Sequence, residues 1–117
     1  MRIYNIFFLL SILLFSCSKE IDEPINNTNI ITTSGLNFIP EIIYCNVGDT
    51  IYFELGSTHN AVEVSETNYN TNSSVPIENG FEFGFGESNF IIINQTKTYY
   101  YVCTPHLPSM KGKIIVN

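Results

Sequence analysis

Tryptophan is absent from the 117 residues, and arginine occurs once, at Arg2. Four lysines stand against eleven acidic residues, a formal charge of −6 that becomes −7 if Arg2 leaves with an N-terminal leader. So acidic a chain is a poor match for a nucleic-acid backbone. There is no phosphate-binding glycine loop and no long helical repeat, which removes nucleotide-dependent enzymes and helical bundles. Charged residues make up 14% against 44% apolar, the reverse of a disordered chain. Cysteine occurs three times and histidine twice, too few for a zinc ribbon or a disulfide framework. No apolar run reaches the roughly 20 residues of a membrane span.

What is there begins with a leader. Residues 1–16 carry one basic residue and an apolar run from Ile6 to Phe15, broken only by Ser11. This is the pattern of a secretory signal peptide. Leu14-Phe15-Ser16-Cys17 resembles a bacterial lipobox, with an apolar residue three before the cysteine and a small one directly before it. The resemblance implies lipidation of Cys17; an ordinary signal peptide with a stray cysteine is the competing reading. Several acyl chains would anchor the protein stably, at ~0.8 kcal/mol per buried methylene. Residues 17–29 are polar, contain Pro24 and show no periodicity. They read as a flexible tether whose mean reach is ~20 Å. Ser18-Lys19-Glu20 with Asp22 and Glu23 resembles the acidic export signals that follow lipidated cysteines in some bacteria. The expected location is therefore the bacterial envelope, at the periplasmic face or the outer-membrane surface.

From Ile30 to the end at residue 117 the chain reads as one all-β domain. Ile30–Thr33, Leu36–Ile39, Ile42–Val47, Thr50–Leu55, Asn60–Val64, Phe90–Ile93, Thr98–Cys103 and Lys111–Val116 are short and rich in β-branched and aromatic residues. Turn signals separate them, Gly48-Asp49 among them, which predicts a Greek-key sandwich or barrel. Residues 65–89 read as a long crossing connection with little regular structure beyond a helical turn near Glu66–Tyr69.

The stretch Cys103-Thr104-Pro105-His106-Leu107-Pro108-Ser109-Met110 places a thiolate, an imidazole and a thioether within eight residues. Zinc seldom takes a thioether. A cysteine with two histidines and a weak axial methionine is the ligand set of blue-copper electron-transfer sites. His59, in Thr58-His59-Asn60-Ala61-Val62, is the other histidine of the chain. One copper per chain is expected, and no catalysis, because four protein ligands leave no open position for a substrate.

Phe38-Ile39-Pro40, Val47-Gly48-Asp49-Thr50-Ile51, His59-Asn60-Ala61-Val62 and Cys103-Thr104-Pro105-His106 with Met110-Lys111-Gly112 together resemble the plastocyanin-like cupredoxins, a family that includes plastocyanin, pseudoazurin and amicyanin. The resemblance spans about residues 36–117. It implies that His59, Cys103 and His106 form the trigonal ligand set and Met110 the axial ligand. The gap from His106 to Met110 is one residue longer than in amicyanin and one shorter than in plastocyanin, which bears on the axial bond and the potential. Asn60 and Thr104 are implied to hydrogen-bond to one another and tie the two ligand loops together, with the Asn60 N–H aimed at the sulfur. Pro105, lacking an N–H, offers that sulfur no second bond. The family also implies an electron exit at the loop histidine, here His106 rimmed by Leu107 and Pro108, with Pro40 as a neighbour. The alternative exit needs an aromatic residue just before the cysteine. Alternation turns that residue, Val102, outward, and it is not aromatic.

The expected role is a one-electron carrier, acting as a monomer on a redox protein such as a cytochrome c or a terminal reductase or oxidase. A copper buffer or delivery protein is the alternative. Cys45 reads as a small buried hydrophobe on the face of Val47; the competing arrangement is a Cys45–Cys103 bridge across an immunoglobulin-like sandwich. The acidic excess reads as a solvated face. Tyr99 and Tyr101 share the inward face with Cys103. Phe81-Glu82-Phe83-Gly84-Phe85-Gly86 fits either the core or the mouth of the metal site.

Overall fold

The computed structural model describes residues 29–117; the leader, Cys17 and the tether up to residue 28 lie outside them. Strands β1 (Ile30–Ser34), β2 (Asn37–Ile39), β3 (Ile42–Cys45), β4 (Thr50–Glu54) and β5 (Ala61–Val64) precede a short helix, α1 (Glu66–Asn70). Strands β6 (Glu82–Phe83), β7 (Ser88–Ile92), β8 (Thr98–Val102) and β9 (Lys111–Val116) follow. They form a four-stranded sheet in the order β2-β1-β4-β7 and a five-stranded sheet in the order β3-β9-β8-β5-β6. β1 runs parallel to β4, and β3 parallel to β9. Both pairings need the chain to cross between sheets, as an all-β sandwich with crossing connections requires. Among the described residues no helix is long and apolar enough to cross a membrane.

Alternation supplies the core. Ile51 and Phe53 of β4 are buried while Tyr52 and Glu54 face out, and Tyr99, Tyr101 and Cys103 point inward from β8 and its end. Each fully buried aliphatic or aromatic side chain contributes about 1.5–3 kcal/mol. Tyr101 anchors the centre, with its ring edge-on to Phe38 at 4.8 Å and to Phe53 at 5.4 Å. The hydroxyl end of its ring lies against Gly112, its register partner on β9; a Cβ there would fall 2.3 Å from the Tyr101 ring. Only glycine fits against that ring.

Several boundaries differ from the sequence expectation. β3 ends at Cys45, and Val47 is exposed in a turn. The Asp49 carboxylate accepts from the Asn46 N–H at 2.9 Å, and Gly48 takes φ +98°, so the turn claims Asn46 and Val47 from the strand. Segment 65–89 holds more regular structure than predicted. Ser65 caps α1 by accepting from the Asn68 N–H at 3.1 Å, and β6 pairs with β5. The acidic residues are not all solvated. Glu63 is buried; it accepts from the Phe81 N–H at 3.3 Å and pairs with the Lys97 Nζ at 3.2 Å.

Val102 requires the largest correction. It does turn away from the core between the sheets, as alternation demands, yet it is fully buried. It packs with Val62 and Val64 in a second apolar cluster, covered by Tyr69, Tyr100 and Leu107. The connection that contains α1 folds back over this face.

Candidate metal centre

The site forms at one end of the sandwich, where β4, β5, β8 and β9 hand over to loops. β4 leads into Gly56–His59, and β8 ends against Cys103. The His59 loop is fixed by its own backbone: the His59 N–H donates to Gly56 O at 3.0 Å, and the Gly86 N–H lies 3.1 Å from Gly56 O and 3.2 Å from His59 O. Gly56 brings its backbone close to the ring, since a Cβ there would lie 3.2 Å from His59 Cδ2. Thr33 Oγ1 on β1 accepts the Gly56 N–H at 2.8 Å. The second loop closes on itself. The Cys103 N–H donates to Met110 O at 3.0 Å, and the Met110 N–H donates to His106 O at 3.1 Å. A single 3₁₀ turn, Thr104–His106, carries the histidine.

These two loops bring three donors together. The Nδ1 atoms of His59 and His106 stand 3.1 Å apart. Cys103 Sγ lies 3.4 Å from His106 Nδ1 and 3.8 Å from His59 Nδ1. Among the described residues this is the one cluster of three or more His, Cys, Asp or Glu side chains able to hold a metal ion. Donors bound to one first-row ion at about 2.0–2.3 Å stand ~3–4 Å from one another, so these spacings fit a single ion. Met110 is fully buried at the end of the same loop. Soft sulfur and imidazole donors suit copper.

The loops are tied to each other. The Asn60 Nδ2 donates to Thr104 Oγ1 at 2.9 Å, and the Thr104 N–H donates to Asn60 Oδ1 at 2.8 Å. Burial pushes the Cys103 thiol up, while the backbone N–H groups of Asn60 and His106 pull it back down. The His106 N–H donates to Cys103 O at 3.2 Å, closing the 3₁₀ turn. Cys103 and Cys45 are both free and buried, which rules out the bridge. Cys45 pairs with Val116 at the far end of β9, whereas Val102 pairs with Lys111 at the near end.

A family model described as copper binding proteins, plastocyanin/azurin family, matches residues 26–117. The chain belongs to the plastocyanin/azurin family of copper-binding proteins. Solved structures of similar fold include amicyanin from Paracoccus versutus, 23% identical, covering 75% of this chain and 79% of that one at a TM-score of 0.53. Pseudoazurin from Hyphomicrobium denitrificans is 20% identical over 76% of this chain and 74% of its own, with a TM-score of 0.59. A copper-containing nitrite reductase from Thermus scotoductus is 25% identical over 75% of this chain but 22% of its own, at 0.54. No curated protein matches significantly. As a plastocyanin/azurin family member with one His-Cys-His cluster among its described residues and Met110 on the same loop, the protein is built for one mononuclear copper.

The rim of this end is apolar. Leu107 is half-buried, Pro105 and Pro108 are exposed, and His106 is partly accessible between them. The Phe81–Gly86 segment divides. Phe81 and Phe83 stack in the core at 5.2 Å, whereas Phe85 is 59% exposed on the turn that clamps His59. The sequence reading missed Gly56 and Gly86 as clamps; the signal available was their position in glycine-containing loops beside the histidine.

Proposed function

We propose that this protein is a one-electron carrier of blue-copper type, tethered to a bacterial envelope through a lipid on Cys17. In this reading residues 1–16 are the signal peptide, residues 17–29 the lipidated cysteine and tether, and residues 30–117 the copper domain. His59 Nδ1, Cys103 Sγ and His106 Nδ1 are the equatorial ligands, and Met110 supplies the axial thioether. Copper bound there would supply a couple between its +1 and +2 states. The chain's own contribution is to hold the donors still and dry. The observation that carries the reading is the convergence of the three donor atoms within 3.1–3.8 Å on two loops tied by the Asn60–Thr104 pair. Donors fixed in this way change little between oxidation states, and outer hydrogen bonds tune the potential. Four ligands leave no position for a substrate, which fits a carrier better than an enzyme.

His106 is the exit in this reading, and Leu107 and Pro108 form a small apolar rim suited to brief docking on a redox protein. The test is copper loading followed by voltammetry. The Cu(II) form should show intense thiolate-to-copper absorption, lost in Cys103→Ala and kept in Cys45→Ala, and should cycle reversibly. Irreversible loss of copper on reduction would instead assign the protein to copper buffering or delivery.

A further inference from the structure

The outer face of the four-stranded sheet carries an apolar patch that the copper site does not use. Tyr52, Phe90 and Ile92 are 48%, 52% and 61% exposed. Tyr52 and Phe90 are register partners with ring centroids 6.0 Å apart, and they border a shallow depression of about 180 Å³. Ile30 lies beside Tyr52 across β1, and Ile92 lies opposite Thr50. No lysine or arginine lies on these strands.

Two features indicate what covers this face. The first is where the preceding chain joins. The Tyr52 N–H donates to Asn29 O at 2.8 Å, so the tether meets the domain at the edge of the patch. Twelve residues separate Cys17 from Ile30, a mean reach of ~20 Å. The second is that the middle of the open edge of β7 is occupied by its own side chain. The Tyr52 N–H points toward β1, so its partner Phe90 turns its own N–H to the free edge. There the Asn89 Oδ1 takes it at 2.9 Å, and Asn89 Nδ2 donates to Glu87 at 3.4 Å. A side chain on the central N–H disfavours strand addition by a second copy at this edge.

We propose that this face rests on the bilayer, with Tyr52, Phe90 and Ile92 at the headgroup–acyl boundary. The proposal rests on the lipid anchor proposed above. An anchored domain is held at high effective concentration next to the membrane, so a patch too small to recruit a soluble protein suffices to orient a tethered one. Tyrosine is suited to the membrane–water interface. The acidic chain and the absence of basic residues on the patch fit a zwitterionic surface rather than an anionic one. β1 and β4 both run toward the His59 loop, so the tether joins at the end away from the copper. A domain lying on this face holds its copper end to the side, with His106 open to the aqueous partner.

The absence of tryptophan allows a direct test. Full-length lipidated, copper-loaded protein carrying Phe90→Trp or Phe85→Trp is placed in phosphatidylcholine–phosphatidylethanolamine vesicles with and without brominated acyl chains. The ratio of the two signals removes any quenching by copper. The expected result is bromine-dependent loss of fluorescence at position 90 and none at position 85. Adding Tyr52→Ser and Ile92→Ser to Phe90→Trp should abolish that loss while the protein still floats with the vesicles. Flotation without quenching at position 90, or equal quenching at both positions, overturns the orientation but leaves the anchor intact. Failure to float overturns the anchor and the orientation together. A position-90 signal shielded from acrylamide but untouched by bromine, in a chain that crosslinks as a dimer, assigns the face to a second copy and overturns the proposal.

Discussion

The two sheets treat their outer faces differently. On the five-stranded sheet Val62, Val64 and Val102 turn away from the central core and are still buried, because Tyr69, Tyr100 and Leu107 cover them. On the four-stranded sheet Tyr52, Phe90 and Ile92 occupy equivalent outward positions and remain open. Alternation along a strand fixes which side a residue faces. It does not fix what lies on that side, which depends on where the long connection 65–80 runs. The covering is held by specific bonds: the Ile77 N–H donates to Glu63 O at 2.9 Å, and the Lys111 Nζ reaches Tyr69 O at 2.9 Å and Asn72 Oδ1 at 3.0 Å. The same connection leaves Tyr52 and Phe90 bare.

The largest expected effect breaks this comparison if it fails. Val102→Glu places a carboxylate in a dry apolar cluster and should cost at least ~3 kcal/mol. Phe90→Glu, on the open face, should stay within ~0.5 kcal/mol in the lipid-free protein. Urea unfolding of the two variants measures both. Similar losses would mean that the outer faces are not distinct. Val102→Glu is consequently a poor probe of electron exit, since it acts on folding first. Leu107→Glu can be read against Phe90→Glu instead. The first should slow electron exchange, and the second should leave it unchanged.

A smaller effect tests the inner side against both outer ones. Gly112→Ala sets a methyl 2.3 Å from the Tyr101 ring. The ring has nowhere to go between Phe38 and Phe53, so overpacking should cost ~1–3 kcal/mol. Because Gly112 lies two residues from Met110, a shift in the copper absorption band should accompany the loss. Unchanged stability would mean that Tyr101 can leave its place over β9.

The metal site was the most legible part of the chain. Its donors lie in two short segments, and cysteine, histidine and methionine carry their chemistry wherever the backbone puts them. The Asn60–Thr104 tie was legible through the family resemblance alone. Eight of the nine strands were legible to within one or two residues from their β-branched and aromatic runs; the two-residue β6 fell in the segment read as a connection. Three things were not. Val47 is β-branched, but side-chain capping by Asp49 drew it into a turn. Glu63 reads as one acid among eleven, yet a backbone N–H and Lys97 satisfy it in the interior. Val102 and Tyr52 are both outward residues on alternating strands; only tertiary placement of the 65–80 connection separates them. For Glu63 and Val102 a non-local partner overrode a local pattern; for Val47 a local side-chain bond across the turn did so.

The smallest effect sharpens the contrast between the buried and open faces with one chemical change. Tyr101 is fully buried, and its hydroxyl is the one buried side-chain polar atom without a hydrogen-bond partner among the described residues. Burial pushes its ionisation far up, so the hydroxyl stays neutral at any working pH. A buried, unpaired hydroxyl has lost its bonds to water and gained none. Tyr101→Phe keeps the ring contacts with Phe38 and Phe53 and removes only that oxygen. It should therefore stabilise the domain by up to ~1 kcal/mol, with the copper spectrum unchanged. Tyr52→Phe removes the same atom from the open face, where water solvates it before and after folding, and should change stability by no more than a few tenths of a kcal/mol. Thermal unfolding of the two variants side by side checks the pair. A loss of stability in Tyr101→Phe would mean that the hydroxyl is hydrogen-bonded in solution, and that the inner face is less dry than its packing indicates.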